Sequence, residues 1–142
     1  MSKKKSGLKS LVRKAWKLQS EYSRRKDADF KGMVPCITCG TVKHWKEMHA
    51  GHFFHGSKQR PISYDDRNIH AQCVSCNTYK GGMRDAYSVR VKNRYGPEVL
   101  DELEALKHQG KEMKHLELVV LITSLEMKLS QLEMPEFIYE AT

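Results

Sequence analysis

The spacing of apolar positions shifts along this chain from helical to strand-like and back to helical. Over residues 7–26, Leu8, Leu11, Val12, Ala15, Trp16, Gln19 and Tyr22 recur at helical intervals and predict an amphipathic helix with one largely apolar face. Residues 48–54 and 69–73 read as a pair of strands, joined by a polar loop that carries Gly56, Ser57, Lys58, Gln59, Arg60 and Pro61. A helix is expected from near Asn77 to about Asn93, ahead of Tyr95-Gly96-Pro97. Pro97 then opens a second helix with Val99, Leu100, Leu103 and Leu106 on one face, closed by Gly110. A third runs from about Lys111 to Leu132 and is stopped by Pro135. Its Leu118, Ile122, Leu125, Leu129 and Leu132 alternate steps of four and three, a short heptad seam. Seams of this length ordinarily pack within their own domain, and a homodimer through the seam is the alternative. The expected fold class is α+β: a basic N-terminal helix (1–30), a central module (31–96) and a C-terminal helical segment (97–142).

Charge adds a partner to this outline. The 142 residues hold 25 Lys+Arg against 17 Asp+Glu, a net charge of +8, which suits a polyanion and most often nucleic acid. The excess is concentrated at the start, where residues 1–26 carry ten basic side chains and one acidic one, Glu21. A merely solubilising face would carry compensating carboxylates. Arg13, Lys14, Lys17, Arg24 and Arg25 are therefore candidate phosphate contacts, and Arg60, Lys80 and Arg84 join them from the central module. No apolar run approaches the roughly 18 residues that would suggest a membrane span, and the lysine-rich start has no apolar stretch behind it. No membrane partner is expected, and the expected setting is a reducing cytoplasm.

In that setting paired cysteines favour metal over disulfide. Cys36-Ile-Thr-Cys39 and Cys73-Val-Ser-Cys76 are separated by 33 residues, and no cysteine is left over. Each two-residue spacer folds into a turn that aims both sulfurs at one point, so four thiolates can close a tetrahedral cage around one zinc. A filled sphere leaves no open position, which makes that zinc structural. A redox CxxC would call for a strand–helix context that neither pair has.

Five of the seven histidines, His44, His49, His52, His55 and His70, lie between the cysteine pairs. Alone, His52 on a strand reads as a partly buried structural residue; in this company it reads as a general base, since imidazole titrates near neutral pH. Asn77 would ordinarily be a helix N-cap. Placed directly after a cysteine knuckle, it is a candidate ligand for a divalent cation, its amide oxygen being a hard neutral donor. Asn68 ends the interstrand loop and can pin its backbone.

Together these residues resemble the NinG (Rap) recombination proteins of lambdoid phages, a zinc-containing branch of the His-Asn-His (HNH) nucleases. The resemblance runs through Tyr22-Ser23-Arg24-Arg25-Lys26-Asp27-Ala28-Asp29, Cys36–Gly40, Ala50-Gly51-His52-Phe53, Tyr64–Cys73, Cys76-Asn77, Lys80-Gly81-Gly82 and Arg94-Tyr95-Gly96. It implies a zinc-stabilised ββα-metal, treble-clef-like core and a structure-selective endonuclease acting on Holliday junctions and D-loops with magnesium or manganese. In that scheme His52 is the base, Asn68 fixes the loop, and Asn77 takes the metal position on the helix. Gly51 stands where many such nucleases place an aspartate ligand, and Gly81 stands one turn beyond Asn77. His49 occupies an expected aspartate position, and the cation is assigned to Asn77 with scissile phosphate oxygens. Two alternatives stay open: a zinc-dependent DNA-binding module without catalysis, and an HNH nuclease with sequence preference.

Overall fold

The computed structural model describes residues 3–133, so Pro135 lies outside the described residues. The elements in chain order are α1 (Lys3–Arg25), β1 (Met33–Pro35), β2 (Val42–His44), β3 (His49–His52), β4 (Ile69–Gln72), α2 (Arg84–Tyr95), α3 (Val99–Gln109) and α4 (His115–Leu132). They form a mixed α+β protein with two antiparallel hairpins, β1–β2 and β3–β4.

α1 is built into the body of the protein. Ala15, Gln19 and Ser23, one residue per turn on a single stripe, are fully buried. Around them Leu8, Leu11, Val12 and Trp16 pack on Tyr64, Met113, Leu118 and Ile122. The seam of α4 lies along this face of α1, which buries Leu118, Ile122, Leu125 and Leu129 within the chain and leaves Leu132 partly exposed. Four of the five seam residues are thus consumed by intrachain packing. The donor side of the stripe is paired across it: Gln19 Nε2 donates to Ser23 Oγ (2.9 Å) and to Asp66 Oδ1 (3.0 Å), while Gln19 Oε1 is buried without a partner. Just past the helix end, the Lys26 ammonium donates to the carbonyls of Asp66 (2.8 Å) and Ile69 (3.3 Å), tying α1 to the start of β4.

The strands β3 and β4 fall inside their expected spans, but the helix expected from Asn77 does not form as one piece. After the second cysteine pair comes a single π-helical turn, Ser75–Tyr79. Gly81, Gly82 and Met83 then take left-handed φ values of 62°, 86° and 51°, which no right-handed helix accommodates. The α-helix restarts only at Arg84. Asn77 therefore caps no α-helix. The short β1–β2 hairpin was not expected. Of its β1 residues only Val34 is buried, so it carries no alternation to read. A second core joins α2 and α3 to the base of the β3–β4 loop through Phe53, Ile62, Tyr87, Val91, Val99 and Leu103.

Candidate functional site: a cysteine cluster beside a histidine–asparagine pair

The β1–β2 hairpin exists to turn around the first cysteine pair. Cys36 N donates to Thr41 O and Gly40 N to Cys36 O, both at 2.9 Å, with Gly40 at φ 79°. The register of the second hairpin, His49↔Gln72 through His52↔Ile69, delivers Cys73 directly after β4. Cys36, Cys39, Cys73 and Cys76 then converge, with their sulfurs all within 4.8 Å of one another. Cys39 and Cys73 Sγ are 3.7 Å apart. The edge of a tetrahedron with Zn–S bonds of ~2.3 Å is about 3.8 Å, so this donor set fits one zinc ion. Two of the sulfurs have thiolate-stabilising partners, whereas burial pushes the Cys76 thiol up to about 12. Burial pushes the Cys36 thiol up, but the Thr38 hydroxyl and the backbone hydrogen bonds of Cys73, Cys39 and Thr38 outweigh it and bring it to about 6. Thr41 lowers Cys39 in the same way.

Gln72 links this cluster to its surroundings. Its Nε2 donates to Thr38 Oγ1 (3.2 Å) and to Gly82 O (2.8 Å), joining the first knuckle to the left-handed turn. The same side chain crosses Gly51 so closely that a Cβ there would overlap it, and no aspartate can stand at that position without displacing Gln72.

Asn77, on the π-helical turn, meets His49 at the start of β3: its amide nitrogen and His49 Nδ1 are 3.0 Å apart at an exposed position. Rotating the amide by half a turn presents Oδ1 instead. The structure thus brings Asn77 to His49, not to His52. His52 lies three residues further along β3, roughly 10 Å of strand, on the opposite face. There it is 7 % exposed and stacks on Trp16, with ring centroids 5.1 Å apart and planes at 23°. Its Nε2 contacts the Ser63 carbonyl at 3.1 Å. A carbonyl only accepts, so Nε2 carries the proton and Nδ1 the lone pair. Burial, together with Lys58 and His55, lowers the His52 pKa to about 4, so the ring is neutral at physiological pH.

Asn68 is fully buried and clamps the interstrand loop from both ends. Its Oδ1 accepts from Phe54 N (2.8 Å), and its Nδ2 donates to the carbonyls of Phe54 and Ile62 (both 2.9 Å). On the neighbouring strand His70 is buried between two tyrosines: Nδ1 is 3.0 Å from Tyr87 Oη and Nε2 is 2.6 Å from Tyr95 Oη. Tyr87 Oη donates to Gly51 O at 2.7 Å, which leaves it to accept from Nδ1–H and leaves Nε2 to accept from Tyr95. This bracket under β3 carries no signal in the sequence beyond the histidine itself, because Tyr87 and Tyr95 lie on a helix 17 and 25 residues away.

The candidate phosphate contacts divide into two groups. Arg13, Lys17 and Lys80 are exposed, and among the described residues their side chains have no ion-pair or hydrogen-bond partner. Lys14 is exposed too, 3.4 Å from Glu126. The others are engaged within the chain. Arg24 donates to Ser20 O and lies over the Trp45 ring, and Arg25 pairs with Glu21 and lies over the same ring. Arg60 donates to Gly110 O (2.7 Å), while Arg84 donates to Phe53 O and covers the Phe53 ring. Guanidiniums are used here as cross-links, a role their five donors fit as well as phosphate binding.

Two hairpins holding four converging cysteines, followed by helices, define a small α+β protein with a cluster able to hold zinc. The chain belongs to the NinG family: residues 2–136 match the family described as bacteriophage lambda NinG protein. It is 36% identical over 94 residues to "Protein ninG" of Escherichia phage 933W, and 35% and 34% identical over 94 residues to the proteins of the same name from Enterobacteria phage H19B and Escherichia phage lambda. Each of these matches covers 66% of this chain and 44% of the relative, so the chain spans less than half the length of the relatives it matches. No solved structure matches it. Among the described residues no helix is long and apolar enough to cross a membrane.

Proposed function

We propose that this chain is a divalent-metal-dependent DNA endonuclease of the HNH type, acting on branched recombination intermediates such as Holliday junctions and D-loops. The observation that carries the reading is the exposed His49–Asn77 pair. Its 3.0 Å separation is that of neighbouring ligands on an octahedral shell with bonds of ~2.1 Å, so the pair fits one small divalent cation. A cation held there would supply charge neutralisation at the scissile phosphate and the leaving oxygen. The hairpin–knuckle–helix order supports a ββα-metal core, the basic surface of α1 supports a DNA partner, and family resemblance supports the branched substrate.

Each residue has a distinct task in this reading. His49 and Asn77 hold the cation, which moves His49 from the margin of the site to its centre. His52 is the base: Ser63 fixes its Nε2–H, and Nδ1 takes the proton from water. Asn68 keeps the loop that supplies Ser63 in register with β3. His52 stands on the opposite face of β3 from the pair and under Trp16, so this reading requires that face to open and the water to reach Nδ1 when DNA binds. Because the pair contains an imidazole and no carboxylate, manganese should support activity at lower concentration than magnesium.

The test is nicking of a four-way junction, a D-loop and matched linear duplex by the zinc-loaded chain, with Mn²⁺, Mg²⁺ or EDTA. The branched substrates should be cut in metal and spared in EDTA. His49→Ala and Asn77→Ala should lose cleavage and regain part of it at high Mn²⁺, whereas His52→Ala should lose it at every metal concentration. A parent chain that nicks nothing in either metal refutes the reading. The burial of His52 under Trp16 favours a second one, a zinc-stabilised DNA-binding module without catalysis. It predicts binding to the same DNAs with no nicking.

A further inference from the structure

Among the described residues Tyr79 is an aromatic side chain left almost wholly in solvent, 81% exposed, with no ring contact and no hydrogen bond to its hydroxyl. An unsupported loop could place a tyrosine there at random, but this turn is tied down. Asn77 N donates to Cys73 O (2.9 Å), Lys80 N to Ser75 O (3.0 Å) and Gly82 N to Cys76 O (2.8 Å). Gln72 Nε2 holds Gly82 O from below. The turn then passes through three successive left-handed residues, one of them Met83, a conformation that is strained for a non-glycine residue and persists only where the surroundings enforce it. Gly81 and Gly82 have open space on the side where a Cβ would stand, so nothing crowds the turn from outside. The fold thus holds a bare phenol ring outward on a rigid frame anchored to two of the cysteines.

Its position gives the ring a use. The Cα atoms of Tyr79 and Asn77, two residues apart on one helical turn, are at most about 7 Å from each other with their side chains on different sides of the turn, and the exposed Lys80 follows Tyr79. We propose that Tyr79 is a stacking platform for an unstacked base of the strand that crosses this turn from the His49–Asn77 pair, with the Lys80 ammonium on a neighbouring phosphate. This inference rests on the nuclease reading for the identity of the polymer as DNA. Inside intact duplex both faces of every base are covered by its neighbours, so an aromatic ring finds a partner only where stacking is interrupted, as at a gap, a D-loop edge or a branch point. Tyr79 is then a specificity determinant, favouring DNA with an exposed base face over continuous duplex.

Binding measured in EDTA isolates this from cleavage. The zinc-loaded full chain is titrated with a gapped duplex carrying 2-aminopurine at the gap edge, and with continuous duplex of the same length. The parent should quench the fluorophore and prefer the gapped DNA. Tyr79→Ala should lose the quench and bind gapped DNA about 5- to 150-fold more weakly, the range of one lost base stack, with continuous duplex unchanged. Tyr79→Phe should keep the quench and bind within twofold of the parent, because the ring acts and not the hydroxyl. Lys80→Ala should instead lower the salt slope for both DNAs by about one while preserving the preference. The inference is overturned if Tyr79→Ala keeps the preference and the quench, or if Tyr79→Phe loses as much as Tyr79→Ala. A chain that shows the expected stacking but never nicks DNA refutes the nuclease reading alone.

Discussion

His70 should make the protein acid-sensitive by a calculable amount. Burial, with the nearby Lys26 and Arg94 charges, lowers its pKa to about 3, while Asp27 opposes this only in part. In the unfolded chain an imidazole titrates near 6.5. A base with a depressed folded value is bound first by protons in the unfolded state. Stability is therefore intact above about pH 6.5 and is lost progressively as pH falls from there towards 3. At pH 5 the unfolded state is about 1.5 units below its pKa and the folded histidine is still neutral. At ~1.36 kcal/mol per unit, the loss relative to pH 7.5 is about 2 kcal/mol.

The perturbation is His70→Asn, whose amide can still donate to Tyr87 but does not titrate. The variant leaves Tyr95 Oη without its 2.6 Å acceptor and should be less stable at every pH, by roughly 1–3 kcal/mol. The informative quantity is the difference in pH dependence. Urea unfolding at pH 7.5 and pH 5.0 should show the parent losing about 2 kcal/mol more than the variant across that interval. Zinc release through thiolate protonation also grows with acidity, but it acts on both proteins and cancels in the comparison. Parallel pH dependences would mean that His70 is not held neutral in the folded state, and the buried tyrosine bracket would be misread.

Two further outcomes follow from the same geometry. Metal analysis should find one zinc per chain, and chelation, or Cys73→Ser, should unfold the central module in circular dichroism, since structural zinc contributes on the order of 10–16 kcal/mol in small domains; soluble folded protein without zinc would contradict the cluster. Arg13→Glu with Lys17→Glu should weaken binding to every DNA shape and flatten its salt dependence, whereas Arg60→Ala should lower the melting temperature and leave the salt slope unchanged, because its guanidinium is spent on Gly110 O.

The legible part of the molecule was the part that depends on local spacing. The cysteine pairs, the β3–β4 strands and the apolar stripes of α1 and α4 each leave a period or a fixed gap in the sequence, and each is found near its expected place. What the sequence hid is contact across distance. Asn77 reads as a helix cap because it precedes a polar helical stretch; only the left-handed Gly81–Met83 turn, set by Gln72 reaching Gly82, shows that no α-helix begins there. The contact between His49 and Asn77 joins residues 28 positions apart and leaves no local signal. Met83 could not have been anticipated in a left-handed conformation from its side chain.

The basic residues teach the same point about charge. By composition, α1 and the residues just after it form one positive stretch, but the structure divides it by direction. Arg13 and Lys17 point into solvent, while Arg24 and Arg25 are drawn onto Trp45 and Lys26 onto the carbonyls of Asp66 and Ile69 at the start of β4. The buried stripe of Ala15, Gln19 and Ser23 runs between these groups, and Trp16 closes over His52. Removing residues 1–26 would therefore strip the cover from α4, leave Asp66 to Lys128 alone and open the His52 face at once. A loss of DNA binding after such a truncation would report unfolding as readily as lost phosphate contacts. Charge reversal at Arg13 and Lys17 leaves the stripe in place, and for that reason it separates the electrostatic role of α1 from its role in the core.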